Sequence, residues 1–122
     1  MGVYYTPKNK KKVARSGHSG RAGTYLSNYS GADTLGLIHQ AAGASMAANP
    51  PGFSLQSRPK YEASDELCKA DARKIRALTP ARLASLHALV EGKLFIGTIE
   101  EFAQYVSDWA AFLETCGGYE AD

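Results

Sequence analysis

The sequence predicts a mainly α-helical protein: a small helical bundle built on a C-terminal antiparallel helical hairpin, with an extended basic N-terminal arm. Two observations support this prediction. Thirteen of the 23 Leu, Ile, Val and Phe residues lie between Leu78 and Leu113, where they recur at helical spacing. The charges are also sorted along the chain, because the first 32 residues carry six basic side chains and no acid. A segment of that composition gains little from folding alone.

The length of 122 residues suits one domain. We assign residues 1–32 to the basic arm and residues 33–122 to a single helical domain. In the arm, Gly, Ser and Tyr residues are interspersed with the basic residues. Residues 50–62 contain three prolines and a glycine, and this composition predicts an extended, linker-like segment within that domain.

The first predicted helix runs from Asp33 or Thr34 to Ala48, with Asp33 as the N-cap and a stop at Asn49 and Pro50. Its apolar positions at helical spacing are Leu35, Ile38, Ala42 and Met46. Several small residues lie between them and permit a partner to approach closely. That partner is either another helix of a tight bundle or a second chain at an oligomer seam.

Two further helices are predicted from their start signals. Ser64 is the N-cap of the first, which has acids in its opening turn and basic residues near its end, as the helix dipole favours. Thr79 is the N-cap of the second, with Pro80 at its first position and Gly92 at its end. The residues predicted to face the core from this second helix are Leu83, Leu86, Leu89 and Val90.

The last helix has the clearest pattern. Thr98 and Glu101 form a capping box, and the helix is expected to end near Gly117. Its apolar stripe is Ile99, Phe102, Ala103, Val106, Trp109, Ala110 and Leu113. We expect Trp109 to close the hairpin against the helix that carries Leu83, Leu86 and Val90. Tyr105 and Phe112 lie beside the stripe, either as a wider core face or as an aromatic contact patch.

Two groups of charged residues are the candidate binding sites. In the arm, cations suited to phosphates or acidic protein surfaces alternate with rings that could stack on unpaired bases. These residues are Lys8, Lys10, Lys11, Lys12, Arg15, Arg21, Tyr4 and Tyr5. In the last helix, a candidate acidic interface is formed by Glu100, Glu101, Asp108 and Glu114.

No catalytic, cofactor or metal signature is present in the sequence, and we expect a protein that is not an enzyme. His18 stands between serines, but a serine nucleophile needs a third group and a rigid elbow, which this stretch does not offer. The four residues His39, His87, Cys68 and Cys116 are spread over separate predicted elements, so we assign no metal site. Two widely spaced cysteines indicate buried, reduced thiols.

The function that the sequence favours is a non-enzymatic assembly or adaptor protein whose basic arm contacts another protein chain or a second copy in a homo-oligomer. A structural or accessory protein of a virus or phage fits this description. The alternative is a sequence-nonspecific RNA- or DNA-binding protein that acts through the arm. A second alternative is an inhibitor that presents its acidic C-terminal helix to a host enzyme.

The expected environment is intracellular: the host cytoplasm, or the virion if the protein is viral. The sequence contains no apolar run of transmembrane length and no secretory signal, so we expect no membrane partner.

Overall fold

The computed structural model describes residues 2–9, 25–45, 61–91 and 97–121. This part of the chain is mainly helical, as predicted, and also contains a small sheet that the sequence analysis did not predict. The elements in chain order are β1 (Gly2–Pro7), β2 (Tyr25–Asn28), α1 (Tyr29–Ala42), β3 (Tyr61–Ser64), α2 (Asp65–Arg76), α3 (Pro80–Val90), α4 (Ile99–Thr115) and β4 (Gly118–Ala121).

The four strands form one antiparallel sheet in the order β2-β1-β4-β3. β1 is an inner strand, because Gly2 to Tyr5 pair with β2 and Tyr5 to Pro7 pair with β4. The described part of the predicted arm is therefore not a free extension. Residues 2–7 belong to the sheet, and residues 25–32 form β2 and the first turn of α1.

Two predicted segments fall largely outside the described residues. Residues 10–24 connect β1 to β2. Most of the predicted extended segment 50–62 also lies outside, and its last two residues begin β3.

The predicted N-caps Ser64, Thr79 and Thr98 are confirmed. Each side-chain oxygen accepts a hydrogen bond from the backbone N–H three residues later, which satisfies one of the free donors of a helix start. The distances are 3.1 Å from Leu67 to Ser64, 3.2 Å from Arg82 to Thr79 and 3.1 Å from Glu101 to Thr98.

The first helix differs from the prediction at both ends, because it spans residues 29–42 instead of 33–48. Gly43 ends it with a φ of +69°, a left-handed conformation that glycine adopts without steric cost. The N–H of Ala44 donates to the carbonyl of His39 (2.8 Å) and that of Gly43 to the carbonyl of Gln40 (3.2 Å). This is the Schellman arrangement of a helix end. Met46, a predicted member of the stripe, lies outside the described residues.

The core is built mainly on α4, as its apolar stripe predicts. Trp109 is completely buried, and its ring contacts Tyr5 of β1, His39 of α1, Phe112 of α4 and Tyr119 of β4. The indole therefore packs against the sheet and α1, and its predicted contact with Leu83, Leu86 and Val90 stays a prediction. The buried hydrophobic residues of α4 are Phe102, Tyr105, Val106, Trp109, Ala110, Phe112 and Leu113.

Tyr105 and Phe112 belong to this buried face, so the wider core is confirmed and the aromatic contact patch is excluded. The apolar face of α4 is broad because it packs against α2 and α3 and its Trp109 ring contacts Tyr5 of β1 and Tyr119 of β4.

α3 is less deeply buried than predicted. Leu86 and Val90 lie in the core and Leu83 packs partly against it, but Leu89 is 61% exposed. α3 packs against α4. The connection between them falls on residues 92–96, which are not described, and the antiparallel hairpin stays a prediction. No helix in the described ranges is long and apolar enough to span a bilayer.

Candidate functional site

α4 carries exposed acids on its outer side. Glu100 and Glu101 are exposed in its first turn, and Asp108 is half-buried two turns later. At 100° per residue, these three positions fall within an arc of about 100°. Gln104 lies between them and donates a hydrogen bond from Nε2 to Asp108 Oδ1 (2.9 Å). We call Glu100, Glu101 and Asp108 the acidic face.

The acidic face has no cationic partner among the described residues, since none of their ion pairs includes it. The sequence of α4 contains no lysine or arginine. Acids in the first turn also stabilise the helix through its dipole, so Glu100 and Glu101 have a structural role as well. Asp108, in the middle of the helix, is too far from its N-terminus for such stabilisation.

Glu114, the fourth acid predicted for the interface, has a different role. Arg76 of α2 donates from Nε and Nη2 to the two carboxylate oxygens of Glu114, each at 2.7 Å. This bidentate pairing with Arg76 lowers the pKa of Glu114. Glu114 therefore joins α4 to α2 and is not part of the acidic face.

The first of the basic residues predicted to bind a partner, Lys8, lies near the C-terminal end of α4. The backbone N–H of Lys8 donates to the carbonyl of Gly118, and that of Asn9 to the carbonyl of Cys116, both at 2.8 Å. The side chain of Lys8 is exposed and approaches the carboxylate of Glu62 (3.8 Å). An exposed pair at this distance contributes little to stability. The remaining cations, Lys10, Lys11, Lys12, Arg15 and Arg21, lie outside the described residues.

We call residues 8–24 the basic segment. It starts beside Cys116, at the C-terminal end of α4, whereas Glu100 and Glu101 stand at the N-terminal end. A 17-residue helix is about 25 Å long. Lys8 and Asn9, from which the chain continues to the lysine cluster, are thus anchored at the opposite end of α4 from Glu100 and Glu101.

The two predicted stacking residues do not form an aromatic platform. Tyr5 is fully buried, with its ring edge-to-face against Trp109 (5.0 Å between centroids) and Tyr119 (5.4 Å). It has no exposed surface on which a base could stack, because the inner strand β1 directs it into the core. Tyr4 lies in β1, and its side chain is outside the described residues.

A buried polar cluster, formed by His39, Ser45, Asp71 and Trp109, was not found by sequence reasoning. Trp109 Nε1 donates to His39 Nε2 (2.8 Å), so the imidazole proton is on Nδ1, which donates to the carbonyl of Ser45 (2.6 Å). The carboxyl group of Asp71 accepts from the backbone N–H of Ser45 (2.9 Å) and from its hydroxyl. The cluster joins α1, α2 and α4 and satisfies polar groups inside the core.

These residue types match those of a nucleophilic triad, but their connections do not. The Ser45 hydroxyl donates to Asp71, and the nitrogen that would act as its base, His39 Nε2, is occupied by Trp109. A nucleophilic serine needs its hydroxyl on the imidazole. A signal for the cluster was present in the sequence, because Asp71 falls between Cys68 and Ile75 on the apolar face of α2.

The stability of the fold should depend on pH through His39. Burial lowers the pKa of His39 below 6.5, and the Asp71 carboxylate and the Ser45 carbonyl oppose this effect only in part. Between the folded and unfolded pKa values the unfolded chain binds one more proton, so stability falls as pH drops below 6.5. We expect the free energy of unfolding to fall by up to about 1.4 kcal/mol per pH unit in this window.

Urea denaturation at pH 7.5, 6.5 and 5.5 measures this dependence. His39→Gln, which has no titratable group, should lose the slope between the two lower values. Equal slopes for the parent and the variant would show that His39 is not the group responsible. The paired Glu114 does not interfere, since its ordinary pKa of 4.5 is below this range and its folded value is lower still.

A groove of about 260 Å³ lies between α2, α3 and α4. Its walls are mainly apolar, with Leu78 and Leu83 on one side and Val106 on the other. The guanidinium of Arg76 stands at the rim, where it is already bound to Glu114. Within the described chain, no three His, Cys, Asp or Glu side chains converge as metal ligands.

Comparison with known proteins gives no match: no protein-family model, no curated protein and no solved structure matches this chain.

Proposed function

We propose that this protein is a non-enzymatic assembly protein whose copies associate head to tail, with the basic segment of one copy on the acidic face of the next. The observation that carries this proposal is the anchoring of the basic segment at the opposite end of α4 from Glu100 and Glu101. The basic segment starts at Lys8, and its second residue, Asn9, is hydrogen-bonded to Cys116; Glu100 and Glu101 stand about 25 Å from Cys116.

The two groups have opposite charge, and the segment that carries the cations is anchored at the end of α4 away from Glu100 and Glu101. Between copies they are complementary, and a contact between two different patches repeats along an assembly, as a ring or as a filament. The basic segment follows β1 and precedes β2, two strands that pair with each other, so it is a connection between strands and not a free terminus. Such a contact is electrostatic, which makes it sensitive to salt.

The acidic face favours a protein partner over nucleic acid. A nucleic-acid-binding protein acting through the basic segment has no use for exposed carboxylates on α4, which repel phosphates. The burial of Tyr5 also removes one of the two stacking rings on which the nucleic-acid alternative relied.

Sedimentation equilibrium at low and high salt tests the assembly. We expect self-association at low salt that weakens as salt is raised. Neutralising the acidic end with Glu100→Gln and Glu101→Gln should give a monomer, because the receiving patch is lost while the capping box is kept by Gln. Neutralising Lys10, Lys11 and Lys12 with Gln should also give a monomer, because the donating segment is lost.

A mixture of the two variants is the decisive sample. Each retains one functional end, so the mixture should form dimers and nothing larger. The matched control neutralises Arg73 and Lys74, an exposed basic pair on α2, and should associate like the parent. A parent that stays monomeric at low salt contradicts the proposal. Binding of a single-stranded oligonucleotide that is lost only in the lysine variant would support nucleic acid instead.

A further inference from the structure

The groove between α2, α3 and α4 has the size of a site for one or two side chains. Its volume of about 260 Å³ is below the roughly 300–1,000 Å³ of pockets that bury a whole small molecule. Its lining includes Ile75 and Val106, which are buried in the core, and Leu78 and Leu83, which are only partly buried. The two leucines therefore keep apolar surface that a further apolar side chain would cover.

The helices that form this groove carry exposed cations. Arg76 lines the groove and is bound to Glu114. Arg73 lies one turn before Arg76 on α2, and Arg82 immediately precedes Leu83 on α3. Both Arg73 and Arg82 are exposed, and neither takes part in an ion pair within the described ranges. The α2 and α3 side of the groove therefore has positive charge that no described acid neutralises.

The charge of Arg82 is not explained by its own helix. Arg73 and Arg76 stand near the end of α2, where cations stabilise a helix through its dipole. Arg82 stands in the first turn of α3, where the dipole favours an acid, and that turn contains none. A carboxylate supplied by a partner would compensate the charge of this arginine.

The α4 side of the groove does not oppose a negatively charged partner. The wall on α4 consists of Ala103, Val106, Ser107 and Ala110. At 100° per residue, the middle of the acidic face lies about 120° further around the helix. Glu114 is the acid of α4 nearest to this wall around the helix axis, and Arg76 neutralises it.

We propose that this groove is a docking site for an acidic amphipathic helix of another protein. An aliphatic side chain of that helix enters the groove against Leu78, Leu83 and Val106, and its carboxylates pair with Arg73 and Arg82. The described residues that line the groove include no aromatic ring on which a nucleotide base could stack, so the walls fit a protein better than a nucleic acid. This inference is independent of the proposed assembly, because the site uses neither the acidic face nor the basic segment.

Two synthetic helical peptides test the docking by fluorescence anisotropy with the full chain. Both have leucines along one face; the other positions are glutamates in the first peptide and lysines in the second. We expect the glutamate peptide to bind at least about tenfold more tightly at low salt, and to bind more weakly as salt is raised. A glutamate peptide with alanines in place of the leucines should not bind, because it lacks the apolar anchor.

Variants of the chain locate the contact. Arg73→Glu combined with Arg82→Glu should weaken binding of the glutamate peptide by at least about tenfold, because carboxylates then face carboxylates. Lys74→Glu is the matched control and should bind like the parent, since Lys74 is exposed and lies about 160° around α2 from Arg76. Ala103→Phe fills the groove from α4 without changing its charge and should also abolish binding. The exposed charge variants decide the question if Ala103→Phe does not fold.

Four results would overturn the proposal. The first is a parent chain that binds the two peptides equally or binds neither. The second is glutamate-peptide binding that survives the double arginine variant but is lost when Lys10, Lys11 and Lys12 are changed to Gln, which would place the contact on the basic segment. The third is a single-stranded oligonucleotide that binds more tightly than the glutamate peptide and is lost in the double arginine variant. The fourth is self-association that Ala103→Phe removes, which would show that a second copy fills the groove.

Discussion

Replacing Trp109 by Ala should lower the free energy of unfolding by about 3–5 kcal/mol, the range for a large buried aromatic side chain. The indole is completely buried and packs on Tyr5 and Tyr119, so its removal opens a void between α4 and the sheet. It also removes the hydrogen bond to His39 Nε2, which leaves a buried acceptor without its donor. A loss of this size approaches the total stability of a small domain.

Urea denaturation followed by circular dichroism measures this loss. Trp109→Phe is the matched variant, because it keeps an aromatic ring and removes the donor, and it should cost less than Trp109→Ala. Leu89→Ala is the surface control on α3 and should change stability by less than about 0.5 kcal/mol. If Trp109→Ala unfolds at the same urea concentration as the parent, or if native Trp109 emits like an indole in water, the core assignment is wrong.

The three helices after residue 60 could be predicted because their signals are local. Ser64, Thr79 and Thr98 each satisfy a donor within their own first turn, so the cap can be identified without knowledge of the tertiary fold. The first helix was placed less well. Its C-terminal end is set by Gly43 in a left-handed conformation, whereas the prediction took the later stop signal at Asn49 and Pro50.

The sheet could not be predicted from local patterns. Its strands have four to six residues, and their partners are distant in the sequence: Tyr5 pairs with Tyr25 and with Ala121. Strands this short contain too few residues for an alternation of apolar and polar positions to be recognised in the sequence. The Val-Tyr-Tyr-Thr run in β1 does have β propensity, but the charge that follows it led to the prediction of an arm.

The candidate site was predicted in part. The acids of α4 follow from the sequence, because residues opposite the apolar stripe of a helix face solvent. Their relation to the basic segment does not, since it depends on the docking of Asn9 beside Cys116. The pairing of Glu114 was not predicted for a similar reason: its partner Arg76 is distant in the sequence and comes close only when α2 packs on α4.

Deleting residues 1–9 should abolish the cooperative folding of the domain. The deletion removes β1, an inner strand of the sheet, and leaves β2 without its partner and β4 paired on one side only. It also removes Tyr5, which is fully buried against Trp109 and Tyr119. The prediction of a separable arm implies the opposite result, a truncated chain as stable as the parent.

Thermal unfolding followed by near-ultraviolet circular dichroism distinguishes these two outcomes, because the signal reports the fixed packing of aromatic side chains. The truncated chain should lack the native signal and its sharp transition, while the full-length Lys10→Ala variant should match the parent. Tyr5→Ala keeps the strand and removes only its buried ring, so it should unfold cooperatively with a loss of about 3–5 kcal/mol, as for other large aromatic residues. A cooperative, native-like transition in the truncated chain would show that the domain does not depend on β1. The inner position of this strand, and with it the attachment of the basic segment beside Cys116, would then be wrong.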